Sequence, residues 1–244
     1  MEVSGAEVTA QALPVQDGSA VGSARRAAVV LAEAAGCSEA VAARVALVAT
    51  ELATNLVRHA GGGTLIVQRA TTEPGIELLA IDRGPGIASV AEALRDGFST
   101  GGTSGTGLGA VGRMADHCEV FSAPGSGTIV LARFGTGPEA AEAHRGVAVG
   151  GVSLPHPGES VCGDAWAVRG VGDRVVVMVV DGLGHGAAAS AAAGEAVRLF
   201  GERAHLPAEQ LMAEIHAALR PTRGAAVGIA TIQADQGRLG FVGV

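Results

Sequence analysis

The 244 residues are nearly half apolar, carry almost no aromatic side chains and have a net charge of −7. A chain of this length forms one large domain or two small ones with a real core, and its acidity argues against a nucleic-acid backbone as main partner. All 17 basic residues other than histidine are arginine, which excludes a P-loop lysine and Schiff-base chemistry.

Cys37, Cys118 and Cys162 are odd in number and far apart, so they suggest neither a disulfide framework nor a zinc site. No apolar run reaches about 18 residues and the N-terminus lacks a basic-then-apolar leader. A soluble cytoplasmic protein that binds no membrane is the default expectation.

In chain order, residues 6–16 contain a weak edge-strand signal. Ser19 opens a helix through Ala35, stopped by Gly36. Ser38 caps the next helix, Glu39 to Ala60, with Glu39 favouring its first turn. Val41, Val45, Val48, Leu52 and Leu56 form its apolar stripe. Glu51 and Asn55, four apart, sit side by side at the margin of that stripe. Such a pair either faces a cleft or is an ordinary helix-rim pair.

Thr64–Thr71 and Ile76–Ile81 read as a hairpin around Glu73-Pro74-Gly75. Asp82 follows the second strand, and Gly84 and Gly86 flank Pro85, so the backbone there can turn tightly and approach a ligand. From Gly101 to Gly109 the chain has five glycines, two threonines and a serine, and a helix begins at about Leu108. A flexible, hydroxyl-rich loop that feeds a helix N-terminus suits an anion; the bland alternative is a linker. A second hairpin, 118–123 and 128–134, turns at Pro124 to Gly127. The stretch from Asp82 to Gly109 therefore reads as the wrapping of a nucleotide.

The order is Glu51-Leu-Ala-Thr-Asn55 on a helix, Asp82-Arg-Gly84-Pro-Gly86 after a strand, then Gly105-Thr-Gly107-Leu-Gly109 opening a helix. This resembles the N, G1 and G2 boxes of the GHKL ATPases. Glu51 to Ala60 is most similar to the anti-sigma-factor serine kinases. The resemblance, over residues 5–135, implies an α/β sandwich whose mixed or antiparallel sheet is covered by helices. It implies that Asn55 ligates Mg²⁺ on the phosphates of ATP, that Glu51 is the general base, and that Asp82 accepts from the adenine amino group. It also implies that Gly84, Gly86, Thr103, Gly105, Thr106, Gly107, Leu108 and Gly109 form the loops around the nucleotide, with Gly101–Gly109 as a lid.

Residues 136–145 read as a linker. Three strands are then expected, roughly Gly146–Ser153, Asp164–Val171 and Arg174–Asp181. The last two are joined by Gly172-Asp173, a two-residue hairpin loop, and that register sets Asp164 opposite Asp181. Directly opposed residues lie about 4.5–5.5 Å apart between Cβ atoms, so two carboxylates there are either exposed strand ends or share a hard cation. Helices are expected from the Asp181–Gly186 loop to about Ala204 and from Pro207 to Leu219, then strands at Ala225–Gln233 and Arg238–Val244.

Cys162-Gly-Asp164 with Asp181-Gly-Leu-Gly-His185-Gly186 resembles the SpoIIE-like branch of the PPM serine/threonine phosphatases. That resemblance, from about 146 onward, implies a β-sandwich flanked by helices. It assigns Asp164, Asp181 and the Gly182 carbonyl to a Mn²⁺ or Mg²⁺ site, with His185 either a ligand or a solvated loop residue. Two departures stand out. Arg220 to Gly224 holds no acid where many such phosphatases have one, and the expected final strands with their metal-binding acid are absent. The domain, 146–244, is accordingly read as incomplete.

The fold class expected is α+β in two domains, 1–135 and 146–244. The function expected is a serine kinase acting on a STAS-domain protein within a sigma-factor or stress-signalling complex, with a fused phosphoserine phosphatase. The alternative is a non-catalytic ATP-binding module that sequesters such a partner and carries a phosphatase remnant.

Overall fold

The structure, a computed structural model, describes residues 10–70, 75–94, 107–135, 147, 149–156, 158–159 and 161–244. It divides into two compact units, one over Gln11–Gly137 and one over Pro138–Val244 joined by the first residues of the chain. Each is described by itself.

The first unit contains β1 (Ala10–Val15), α1 (Gly18–Ala34), α2 (Glu39–Ala60), β2 (Gly63–Arg69), β3 (Ile76–Ile81), α3 (Val90–Ala93), α4 (Gly107–Met114), β4 (His117–Ala123) and β5 (Gly127–Phe134). Its sheet runs in the order β1-β2-β3-β5-β4, and the β2–β3, β3–β5 and β4–β5 pairs are antiparallel. The expected loop residues Glu73 and Pro74 lie outside the described residues.

Local chemistry places the helices. Asp17, not Ser19, caps α1: its Oδ1 accepts from the Ser19 amide at 2.8 Å and from the Ser19 hydroxyl. A carboxylate acceptor just before the first turn satisfies an orphan N–H and matches the helix dipole. Gly36 follows at φ 76°, where glycine ends a helix without strain. Ser38 caps α2, accepting from the Val41 amide at 3.4 Å, and Gly61 ends it in the left-handed region.

α2 carries the core. Val45, Val48, Leu52 and Leu56 are buried against Leu65, Val67, Leu78, Val130 and Phe134 of the sheet, each large side chain contributing roughly 1.5–3 kcal/mol by leaving water. It is also the one described helix long and apolar enough to cross a membrane; here that apolar side lies on the sheet, and Arg44, Glu51 and Arg58 interrupt the rest. On the other face of the sheet, Glu77 is buried and satisfied: Gln68 Nε2 donates to its Oε2 and Arg133 Nε to its Oε1, both at 2.7 Å. Arg44 ties α2 to the end of α4, donating to the Met114 carbonyl at 2.8 Å and to Asp116 Oδ1 at 2.6 Å.

The second unit contains β6 (Asp164–Val171), β7 (Arg174–Gly182), α5 (Ala187–Arg203), α6 (Ala208–Leu219), β8 (Ala225–Gln233) and β9 (Arg238–Gly243). Its antiparallel sheet runs β6-β7-β8-β9. Met178, Val180, Val227 and Ile229 pack against Ala192, Ala196, Phe200, Leu211 and Ile215 of the two helices. Among the described residues this is one sheet with helices on one face; a partial sandwich flanked by helices was expected.

The strand expected over 146–153 does not form in its described residues. Gly151 instead lies against Trp166, whose ring would be 2.3 Å from a Cβ at that position. Gly150 and Gly151 disfavour a strand, and the segment crosses the indole rather than pairing with β6. The linker expected over 136–145 falls outside the described residues.

Candidate functional site: a nucleotide cleft and an acid pair

A cleft of about 650 Å³ opens at the C-terminal half of α2, a size ordinary for small-molecule sites. Glu51 and Asn55 line it one helical turn apart, with Asp82 from the end of β3, Gly86 from the following loop and Gly107 and Leu108 from the start of α4. Thr128 and Val130 of β5 complete its floor. Neither the Glu51 carboxylate nor the Asn55 amide has a hydrogen-bond partner among the described residues. Both are thus free to engage a ligand, and Gly107 and Leu108 bring the first residues of α4 to the same cleft.

Asp82 is held from behind. Its Oδ1 accepts from the Gly84 amide at 2.8 Å and the Thr128 amide at 3.1 Å, and its own amide donates to the Thr128 carbonyl at 2.9 Å. One carboxylate oxygen is thereby fixed, and Oδ2 has no partner among the described residues.

The glycines nearby make room for the protein itself. A Cβ on Gly84 would lie 2.7 Å from Ala60, and one on Gly86, at φ +73°, would lie 2.1 Å from the Ala123 carbonyl oxygen. Gly84 and Gly109 stand behind the lining, Gly109 buried in α4. Thr103, Gly105 and Thr106 of the expected lid lie outside the described residues.

Residues 15–134 match the family model of the histidine kinase-like ATPase domain. A 92-residue stretch is 36% identical to the serine/threonine-protein kinase RsbT of Bacillus subtilis (strain 168), covering 37% of this chain and 69% of that kinase. The chain belongs to the histidine kinase-like ATPase family.

Two solved structures are similar to shorter shares of this histidine kinase-like ATPase. One comes from the bacterial stressosome, described as a modular system adapted to control secondary messenger signaling, at 30% identity and TM-score 0.34, covering 35% of this chain and 44% of that one. The other is a crystal structure of RsbX in complex with magnesium, at 26% identity and TM-score 0.36, covering 38% and 47%. The chain thus spans less than half the length of either.

For an ATPase of this family the cleft's charge pattern is informative. Glu51, Asp82 and Glu92 are its acids; Arg58 and His59 are its bases. Arg58 was not singled out from the sequence, although it stands three residues after Asn55 and seven after Glu51, on the same helical face. Thr128 was also missed. Extending the β3–β5 register beyond Ile81↔Ile129 would have set it opposite Asp82. The Asn55 amide and the Glu51 carboxylate, without partners among the described residues, offer oxygens of the kind Mg²⁺ takes.

The second unit of this ATPase holds the acid pair where the hairpin register expected it, Asp164 opposite Asp181. Burial, and then the Asp181 charge with a hydrogen bond between the two side chains, push the Asp164 carboxyl above its ordinary value. Two directly opposed carboxyls repel when both are charged, and a hard divalent cation between them would relieve that repulsion. Gly182, buried, donates its amide to the Gly163 carbonyl at 3.1 Å, and a Cβ there would meet the Ala189 and Gly163 carbonyl oxygens at 2.5 and 2.6 Å. Among the described residues no third His, Cys, Asp or Glu completes a metal-binding group. His185 is engaged elsewhere, at Glu159.

Proposed function

We propose that the chain is an ATP-dependent serine kinase of a partner-switching stress or sigma-factor pathway, and that it phosphorylates a STAS-domain protein. The observation that carries this reading is the meeting of the unpartnered Glu51 and Asn55 with Asp82 and the α4 N-terminus in one cleft. The 36% identity to a serine/threonine-protein kinase supports the kind of chemistry.

In this reading Asp82 fixes the adenine through its amino group, with Oδ1 already held by backbone amides. The amides at the start of α4 and the Arg58 guanidinium bind the phosphates. Asn55 would hold Mg²⁺, which supplies counter-charge to the phosphates. Glu51 takes the proton from the partner's serine hydroxyl. The serine oxygen forms a bond to the γ-phosphorus, the bond from that phosphorus to the β–γ bridging oxygen breaks, and ADP leaves. A positioned base of this kind contributes about 10²–10⁴-fold.

The second unit is proposed to be a metal-dependent phosphoserine phosphatase acting on the same class of target. Asp164, Asp181 and the Gly182 carbonyl would hold Mn²⁺ or Mg²⁺, which activates water. Support comes from the opposed acids and from the sequence resemblance.

Incubation with labelled ATP and a STAS-domain protein tests the kinase. Transfer to serine is expected, and Glu51→Ala should lower it by about 10²-fold or more while ATP still binds. Nucleotide-dependent binding without transfer in the native chain would favour a non-catalytic module instead.

A further inference from the structure

The loop that follows Asp181 is held by a carboxylate from well outside it. α5 runs for 17 residues, its N-cap is Gly186, no side chain of its own caps it, and its first turn carries no acid. A helix that long concentrates positive potential at its N-terminus. Glu159 occupies that place: a Cβ built on Gly186 would lie 2.7 Å from its Oε2 and 3.2 Å from its Oε1. The same carboxylate pairs with His185 Nδ1 at 2.5 Å, although His185 is otherwise two-thirds exposed. His156, three residues before Glu159, stacks on the His185 ring with centroids 5.5 Å apart and planes at 24°.

The rest of the loop is pinned by backbone. Gly182 donates to Gly163 and Leu183 to the Gly224 carbonyl at 3.0 Å. Those bonds fix its beginning, next to Asp181. Its end, His185 and Gly186, depends on Glu159. We infer that Glu159 is a positioning residue of the second site: by holding the His185–Gly186 end it completes the clamp on the loop whose backbone-pinned beginning carries Asp181 and the Gly182 carbonyl, and so keeps that loop in the geometry a divalent cation needs. This rests on the reading of Asp164 and Asp181 as cation ligands. Glu159 itself is committed to His185 and the start of α5, so it acts through the loop and not as a ligand.

The full chain contains a single tryptophan, Trp166, two residues along β6 from Asp164 and therefore on the same face of the sheet. Quenching of its fluorescence by Mn²⁺, together with calorimetry, reads occupancy without any turnover. Native protein is expected to bind Mn²⁺, and Asp181→Asn to lose it. Glu159→Ala should weaken Mn²⁺ at least tenfold with a melting temperature of the metal-free protein within a few degrees of native. Glu159→Gln, which keeps a hydrogen bond to His185 but not the charge, should fall between. The double variant with His185→Ala should be no weaker than Glu159→Ala alone, because both act through one contact. Native Mn²⁺ affinity in Glu159→Ala overturns the positioning role while leaving the acid pair as ligands. No Mn²⁺ binding by the native chain overturns the ligand reading and this inference with it. Should Glu159→Ala unfold early, native affinity in Glu159→Gln overturns the role equally.

Discussion

Glu51 and Asn55 show how much one helix position decides. Each sits at the edge of a stripe whose members Val45, Val48, Leu52 and Leu56 are buried, so each is fixed by the core yet faces the cleft. Spacing alone leaves open whether this is a rim pair; in the structure both residues line the cleft made by distant β3, β5 and α4. Asp82 was legible as a strand-end acid, but its clamp by the Thr128 amide was not, because that contact spans 46 residues. Gly86 gives the sharpest test at this scale. An alanine there must adopt φ near +73° with its Cβ 2.1 Å from the Ala123 carbonyl oxygen. Gly86→Ala is expected to cost on the order of 2–4 kcal/mol from strain and overpacking together. Thermal melting would read this as a clear drop, and an unchanged melting temperature would refute the tight packing.

At the scale of elements, caps and hairpin turns were the legible part. Ser38, Gly36, and the Gly172-Asp173 turn each act within a few residues, so sequence chemistry is enough to place them. The failed strand at 146–153 shows the limit: its apolar residues favour extension, but the Trp166 ring claims the space over Gly151. Ser38→Ala should cost about 1 kcal/mol, seen as a lower denaturant midpoint at constant slope. Its ATP affinity should stay native, because Ser38 caps the end of α2 remote from the cleft. The β6–β7 pair makes a prediction about pH. With its carboxyl raised by burial and by Asp181, folded Asp164 holds a proton more tightly than the unfolded chain does. That contribution is complete below about pH 3.9, the ordinary aspartate value, and is lost as pH rises through the higher folded value. Asp164→Asn should flatten this fall in a stability–pH profile. Mn²⁺ should raise the melting temperature of native protein at neutral pH and leave that of Asp164→Asn unmoved.

At the scale of the molecule, the two units expose different liabilities. The first closes its apolar side with α1 and α2. The second ends its sheet at β9, where Leu239 and Phe241 are 73% and 74% exposed. In the β8–β9 register Leu239 and Phe241 alternate with residues bonded to β8, so their own amides and carbonyls face outward at the edge. An open edge bearing large apolar side chains recruits further strands. Phe241→Lys should therefore reduce concentration-dependent light scattering while preserving the α5–α6 core, which Phe241 does not join. The packing of one sheet face against α5 and α6 emerges only from tertiary structure.

The glycines around Asp82 carry a consequence for reading related proteins. A Cβ on Gly63 would lie 2.5 Å from the Ile81 carbonyl oxygen, and one on Gly127 2.1 Å from that of Asp82. With Gly84 and Gly86 they form a knot in which backbone rests on backbone. Selection will keep these four positions invariant in any descendant that keeps the fold, whether or not it still binds a nucleotide. Their conservation would date the architecture, and loss of Glu51 or Asn55 with the glycines intact would mark a lineage that retained the shape after abandoning the chemistry proposed above.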